Sequence, residues 1–169
     1  MNATPNSHTV KDLKYWLING EKLYVEGRNI VLDYSDNEKK CAIWLEKTFG
    51  GKIYICPRVN NPFGIRTPDY IWKKEYWDLK VIKNARSNRA IDNALKRSKG
   101  QTKNIILDIN SKKLSDKDVI EQSKKIFSAS KRNWINTIII KRNNRLVRIY
   151  TRNKNEVAPH PIADWDQPH

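Results

Sequence analysis

From Pro68 to Ile82 the chain reads Pro-Asp-Tyr-Ile-Trp-Lys-Lys-Glu-Tyr-Trp-Asp-Leu-Lys-Val-Ile, and a β-hairpin is the element that suits it best. Residues 69–72 and 76–82 are rich in the aromatic and β-branched types that strands favour, and Lys73-Lys74-Glu75 between them reads as a turn. Side chains alternate along a strand, so Tyr76, Asp78, Lys80 and Ile82 share one face while Trp77, Leu79 and Val81 share the other. With Lys74-Glu75 alone as the loop, Asp69 falls directly opposite Lys80 and on the same face as Asp78. An odd loop without a bulge throws Asp69 to the other face, because a one-residue slip inverts every side chain. An even loop therefore brings two carboxylates and one ammonium to a single spot.

Written as a pattern, the run is Pro-Asp, eight residues, then Asp-x-Lys, the metal-and-lysine signature of a large class of nucleases. Two carboxylates, Asp69 and Asp78, suit a hard divalent cation such as Mg²⁺, which activates water and stabilises phosphorane charge. Lys80 would orient the nucleophile or neutralise the developing charge. The plainer reading is a surface hairpin with ordinary cross-strand ion pairs, and so short a pattern also arises by chance.

The formal net charge of +15 points to a polyanionic partner. It is unevenly placed: residues 61–169 hold 24 Lys/Arg against 11 Asp/Glu, whereas residues 1–60 are nearly balanced. From Lys80 to Lys103 eight basic residues meet a single acid, Asp92. Arg66, Lys83, Arg86, Arg89, Lys96 and Gln101 are the candidate substrate contacts, of types that position a phosphate backbone rather than read sequence. A merely solvated basic face is the alternative for each of them. No apolar run approaches 18 residues, so membrane insertion is not expected. Cys41 and Cys56 form neither a disulfide framework nor a zinc spacing and are expected as reduced, buried thiols. The histidines, His8, His160 and His169, sit in the termini, so acid–base catalysis by histidine is not expected.

Read for elements, residues 10–17 allow a short helix, and 22–34 two short strands around Glu26-Gly27-Arg28. Ser35 and Glu38 form a capping box that opens a helix to about Phe49. A strand over 53–59, the 69–82 hairpin, a basic helix over 88–98 and a strand over 104–109 follow. A helix over 115–130 and a hairpin of 135–141 with 145–151 complete the order. The fold class is α/β (α+β), a central mixed or antiparallel sheet with flanking helices. Its αβββαβ core resembles that of PD-(D/E)xK nucleases, and a barnase/EndoU/colicin/RelE-like ribonuclease is the alternative. Domain limits are expected at 1–34 (an N-terminal extension or docking segment), 35–152 (the nuclease domain) and 153–169 (a flexible tail).

On the first helix Glu38, Cys41, Ala42, Leu45 and Phe49 fall on one stripe, which turns Glu38 toward the buried face. It is either a third acidic catalytic group or the reciprocal arm of the capping box. Asp108 interrupts an apolar strand and is expected as a buried partner for Lys80 or as a strand-end cap.

Several stretches together carry a family resemblance. They are Glu38-x3-Ala42-x2-Leu45-x3-Phe49-Gly50-Gly51, Cys56-Pro57-Arg58-Val59, Thr67-Pro68-Asp69-Tyr70, Trp77-Asp78-Leu79-Lys80, Gly100-Gln101 and Asn104 to Asp108. The region from Glu38 to about Arg152 resembles the C-terminal tRNase toxin domains of contact-dependent growth inhibition and related bacterial polymorphic toxins. The resemblance implies a ribonuclease acting on tRNA in the cytoplasm of a target bacterium and carried there by a secreted or cell-surface protein. It also implies a cognate immunity protein and, in some members, a translation elongation factor as activator. Family members of the metal-independent kind would use Asp69, Lys80 and Arg86 through electrostatics and orientation, with the RNA 2′-OH as nucleophile. A metal-dependent DNA endonuclease and a non-catalytic basic nucleic-acid-binding module are the alternative functions.

Overall fold

A computed structural model describes residues 10–85 and 87–152. The elements are β1 (Val10–Asp12), β2 (Tyr15–Ile18), β3 (Glu21–Tyr24), β4 (Ile30–Val31), α1 (Asp36–Phe49), β5 (Ile53–Ile55) and β6 (Arg58–Val59). There follow β7 (Tyr70–Trp72), β8 (Glu75–Ile82), α2 (Ala90–Lys96), β9 (Asn104–Ile109), α3 (Asp116–Ser128), β10 (Thr137–Arg142) and β11 (Arg145–Thr151). Seven strands form one open mixed sheet in the order β1-β5-β7-β8-β9-β10-β11. Strand β7 runs antiparallel to both β5 and β8, and β9 then β10 follow parallel to β8. The α/β class with a central mixed sheet and flanking helices is thus the one observed, in the expected order of helix, three strands, helix and strand.

Both long helices begin where a serine can cap them. Ser35 and Glu38 make the reciprocal capping box of α1, and Ser115 with Asp118 makes that of α3. Helix α1 buries Cys41, Ala42, Trp44 and Leu45 against Ile53, Tyr70, Trp77, Leu79, Ile106 and Ile139 on one face of the sheet. The other face carries two apolar clusters. One lies under α2 and α3, around Ile91, Leu95, Ile105, Leu107 and Ile138. The other gathers Leu13, Tyr15, Trp16, Ile30, Cys56 and Ile71.

The N-terminal region departs from the expected helix over residues 10–17. Val10–Asp12 pairs in parallel with Ile53–Ile55 at the edge of the sheet, and β2 pairs with β3 as a hairpin. The turn of that hairpin is Asn19-Gly20, both at positive φ (51° and 81°), which suits the twist of a two-residue connection. The expected strand over 53–59 is broken after Cys56: Ile53–Ile55 joins the main sheet and Arg58–Val59 pairs with β4. Pro57 lies between them and has no N–H to give a ladder. The 1–34 segment expected as an extension supplies β1 to β4 over its described part, and the 153–169 tail lies outside the described residues.

Candidate active site

The hairpin of β7 and β8 closes one residue earlier than expected. Its register is Tyr70↔Trp77, Ile71↔Tyr76 and Trp72↔Glu75, which leaves Lys73-Lys74 as the loop. Both lysines have positive φ, 52° and 62°, the backbone of a tight hairpin turn that matches strand twist. Glu75 consequently joins β8 instead of the loop, where the Asn104 side-chain amide donates to its carboxylate at 3.3 Å. The loop length stays even, but continuing the register sets Asp69 toward Asp78 rather than Lys80.

Asp69 immediately precedes β7. Its main-chain N–H donates to the Trp77 carbonyl at 3.0 Å, and its carbonyl accepts from Cys56 at 2.9 Å. Its side-chain Oδ2 accepts the Leu79 N–H at 2.6 Å, so a carboxylate takes the position that a further strand carbonyl would hold. Burial pushes the Asp69 carboxyl up to about 9, and the charge of Asp78 and a hydrogen bond with it push the same way. The Leu79 N–H opposes that shift, and the more distant charge of Glu38 adds to it. These influences together favour the protonated form of Asp69 beside Asp78.

Asp78 is 1% exposed, in the middle of β8. Its Oδ2 receives two donors, the Lys80 ammonium at 2.5 Å and the Ser98 hydroxyl at 2.5 Å. Lys80 follows two residues later on the same strand face and keeps 18% of its side chain exposed, so its ammonium is reached from solvent. Ser98, wholly buried just beyond α2, was not among the residues singled out from the sequence. A serine after a helix carries no pattern of its own; only the fold brings it under Asp78.

Loop contacts frame this group. Arg66 Nη1 donates to the Lys99 carbonyl at 3.4 Å, and Gln101 Nε2 to the Thr67 carbonyl at 3.4 Å. These bonds tie the segment leading into Asp69 to the turn that carries Ser98. Glu38 makes the capping arm that the sequence left open, with its carboxylate accepting the Ser35 N–H. Its main-chain carbonyl also receives the Tyr70 hydroxyl at 2.6 Å. Lys83 is exposed after β8, and Arg89 is exposed at the start of α2. Lys96 lies 3.2 Å from Asp92 on the same helix. Arg86 and the three histidines lie outside the described residues.

Asp108 is not a partner of Lys80. It lies across from Lys141 in the β9–β10 register, 3.2 Å from that ammonium, whereas Lys80 is in register with Leu107. Alternation along β9 puts Asp108 with Ile106 on the α1 side, while Leu107 faces the α2 side.

The two neighbouring carboxyl groups, Asp69 and Asp78, are oxygen donors of the type a hard cation takes. Among the described residues no three His, Cys, Asp or Glu side chains gather closely enough to hold a metal ion. No helix of the described residues is long and apolar enough to cross a membrane.

Residues 66–146 match the family described as the contact-dependent growth inhibition CdiA C-terminal domain. The stretch runs from Arg66 through Asp69, Asp78, Lys80 and Ser98 to the second residue of β11. It lies within the region, Glu38 to about Arg152, whose resemblance to contact-dependent growth inhibition toxins was read from the sequence. No curated protein and no solved structure matches the chain.

Proposed function

Taking that match as premise, we propose that the chain is an antibacterial toxin that cleaves RNA, with tRNA as its substrate, at Asp69, Asp78 and Lys80. The observation that carries this reading is the meeting of the Asp69 and Asp78 carboxyl groups with Lys80 Nζ, 2.5 Å from Asp78, in a chain of net charge +15. A surface ion pair has no need of a second carboxylate raised in proton affinity at its side. A carboxyl perturbed by burial and by a neighbouring charge is how active sites prepare proton transfer and charge stabilisation.

In this reading Lys80 meets the scissile phosphate from the solvent side and balances the charge that builds there. Asp78 holds Lys80 in place, and Ser98 fixes the rotamer of Asp78. Asp69 and Asp78 would hold a divalent cation such as Mg²⁺, which when bound supplies an activated water and added positive charge. Arg66, Lys83, Arg89, Lys96 and Gln101, with Arg86, contact the phosphates on either side. Glu38 contributes through its charge near Asp69. The kinship with PD-(D/E)xK nucleases belongs to this proposal; the antiparallel β5-β7-β8 with parallel β9 supports it. A cell-surface protein delivers the domain, it acts in the target cytoplasm, a cognate immunity protein blocks it, and a translation elongation factor assists it.

The test is cleavage of total bacterial tRNA by wild-type and Asp78→Ala proteins, with Mg²⁺ or EDTA and with or without cell extract. Loss of cleavage with the substitution and with EDTA is the expected result. Cleavage that survives EDTA but not the loss of Lys80 moves the reaction to attack by the RNA 2′-OH. Intact tRNA under every condition, extract included, would falsify the ribonuclease reading.

A further inference from the structure

A cleft of about 560 Å³ opens beside the turn that carries Ser98, and of its lining the preceding mechanism uses only Gln101. Its wall includes Tyr76, Lys99, Lys103, Asn133, Trp134 and Asn136. We propose that this cleft is a nucleotide-binding subsite, which receives an unpaired ribonucleotide adjoining the one cleaved at Asp78 and Lys80. The inference rests on the ribonuclease reading for its substrate and on the cleft alone for its chemistry.

The volume falls within the range of small-molecule pockets. Lys99 and Lys103 are exposed at its mouth, where they give a phosphate two cations without desolvation cost. Inside, the amides of Asn133 and Asn136 offer both donors and acceptors, as the edge of a base requires. Asn136 is held in place, since its Nδ2 donates to Asn104 Oδ1 at 3.3 Å. Asn104 is itself buried and fixed by a bond of 3.1 Å to the Tyr76 carbonyl. The Trp134 indole N–H is buried with no acceptor among the described residues, a donor the fold has not used. Cations at the mouth, amides in the wall and an aromatic ring are the set that binds single-stranded nucleic acid.

Position links the cleft to the reactive group. Tyr76 lines it and lies two residues before Asp78 on β8, about 6.7 Å along the strand. Lys99 and Gly100, which also line it, directly follow Ser98. One strand of RNA can therefore lie across both places at once.

The test titrates ¹⁵N-labelled protein with each of the four ribonucleoside 5′-monophosphates, following the Trp134 indole and the Asn133 and Asn136 amide signals. Lys103→Ala and Asn133→Ala, both at exposed positions, are compared with wild type, and KM for a short single-stranded RNA is measured alongside. The expected result is saturable shifts at the cleft signals, with affinity and KM each worsened about tenfold in the variants and kcat little changed. Absence of shifts, or shifts indifferent to both substitutions, overturns the subsite even where RNA is cleaved normally. Shifts that obey the substitutions in a protein unable to cleave any RNA uphold the subsite and remove the ribonuclease reading instead.

Discussion

Lys141 stands 3.2 Å from Asp108 across the β9–β10 pair, with both side chains at most 10% exposed, on the face of the sheet opposite Lys80. The ammonium also lies 5.2 Å from the Trp44 ring centroid. Removing one partner strands a buried charge, so Lys141→Met is expected to cost about 3–5 kcal/mol of stability. A double variant with Asp108→Leu should recover most of that loss in urea unfolding. If the double variant is as unstable as the single one, the pair is not what holds these strands.

Asp69→Asn should stabilise the protein in metal-free buffer. Asn retains an oxygen for the Leu79 N–H and an N–H for Asp78, while removing a carboxyl whose proton affinity burial has raised to about 9. A raised carboxyl leaves stability intact below its unfolded value near 3.8 and erodes it as pH climbs toward 9. The gain should therefore be near zero at pH 4 and reach about 1 kcal/mol or more by pH 8. Thermal melting of both proteins across that range decides the matter; a gain independent of pH would contradict it.

Acid should undo the junction of α3 with β10 and β11. Hydrogen bonds from Arg145 and then Arg142, at 2.5 and 2.8 Å, hold the Asp116 carboxyl below its ordinary value against a weaker push from burial. Such a group contributes stability above its unfolded value of about 3.8 and loses it as pH falls through the depressed folded value. Asp116→Asn should therefore lower the melting temperature at pH 6 and leave it unchanged at pH 2. The effect is expected to be a fraction of a kcal/mol, because solvent screens these groups.

Neither cysteine should react in the native protein. Burial pushes the Cys41 thiol up to about 12 and the Cys56 thiol well above its ordinary value, so almost no thiolate is present at neutral pH. Alkylation by iodoacetamide at pH 7.5 should go to completion in denaturant and proceed at least about a hundredfold more slowly without it. Rapid native labelling of Cys41 would mean that α1 opens locally.

Much of the fold was legible because local chemistry decides it. The Ser35–Glu38 and Ser115–Asp118 caps start both long helices, and the apolar run from Asn104 to Ile109 is a strand from end to end. The Arg145–Thr151 strand likewise falls where its alternation places it. What escaped depended on distant partners or on unmarked backbone. Val10–Asp12 becomes a strand only because Ile53–Ile55 offers it an edge, and no residue in it says so. The Asn19-Gly20 pair is the exception, a readable hairpin signal between two apolar runs. Lys73 and Lys74 give no such hint, since neither is a usual choice at positive φ. At the site, the Asp-x-Lys spacing on one strand located Asp78 and Lys80. The orientation of Asp69 toward Asp78 had to await the turn, and Ser98 had to await the packing of α2.

The Leu79 N–H rests on the Asp69 carboxylate immediately before β7. One side chain thus closes a hydrogen-bonded ladder and completes a pair of acids, so the two properties cannot be edited separately. Anyone removing the acid here, to raise antibodies or to trap a bound partner, faces a choice of replacement. Alanine would silence the acid and fray the hairpin together, and the product would no longer present the native surface. Asparagine leaves the ladder closed, and the variant keeps the native shape.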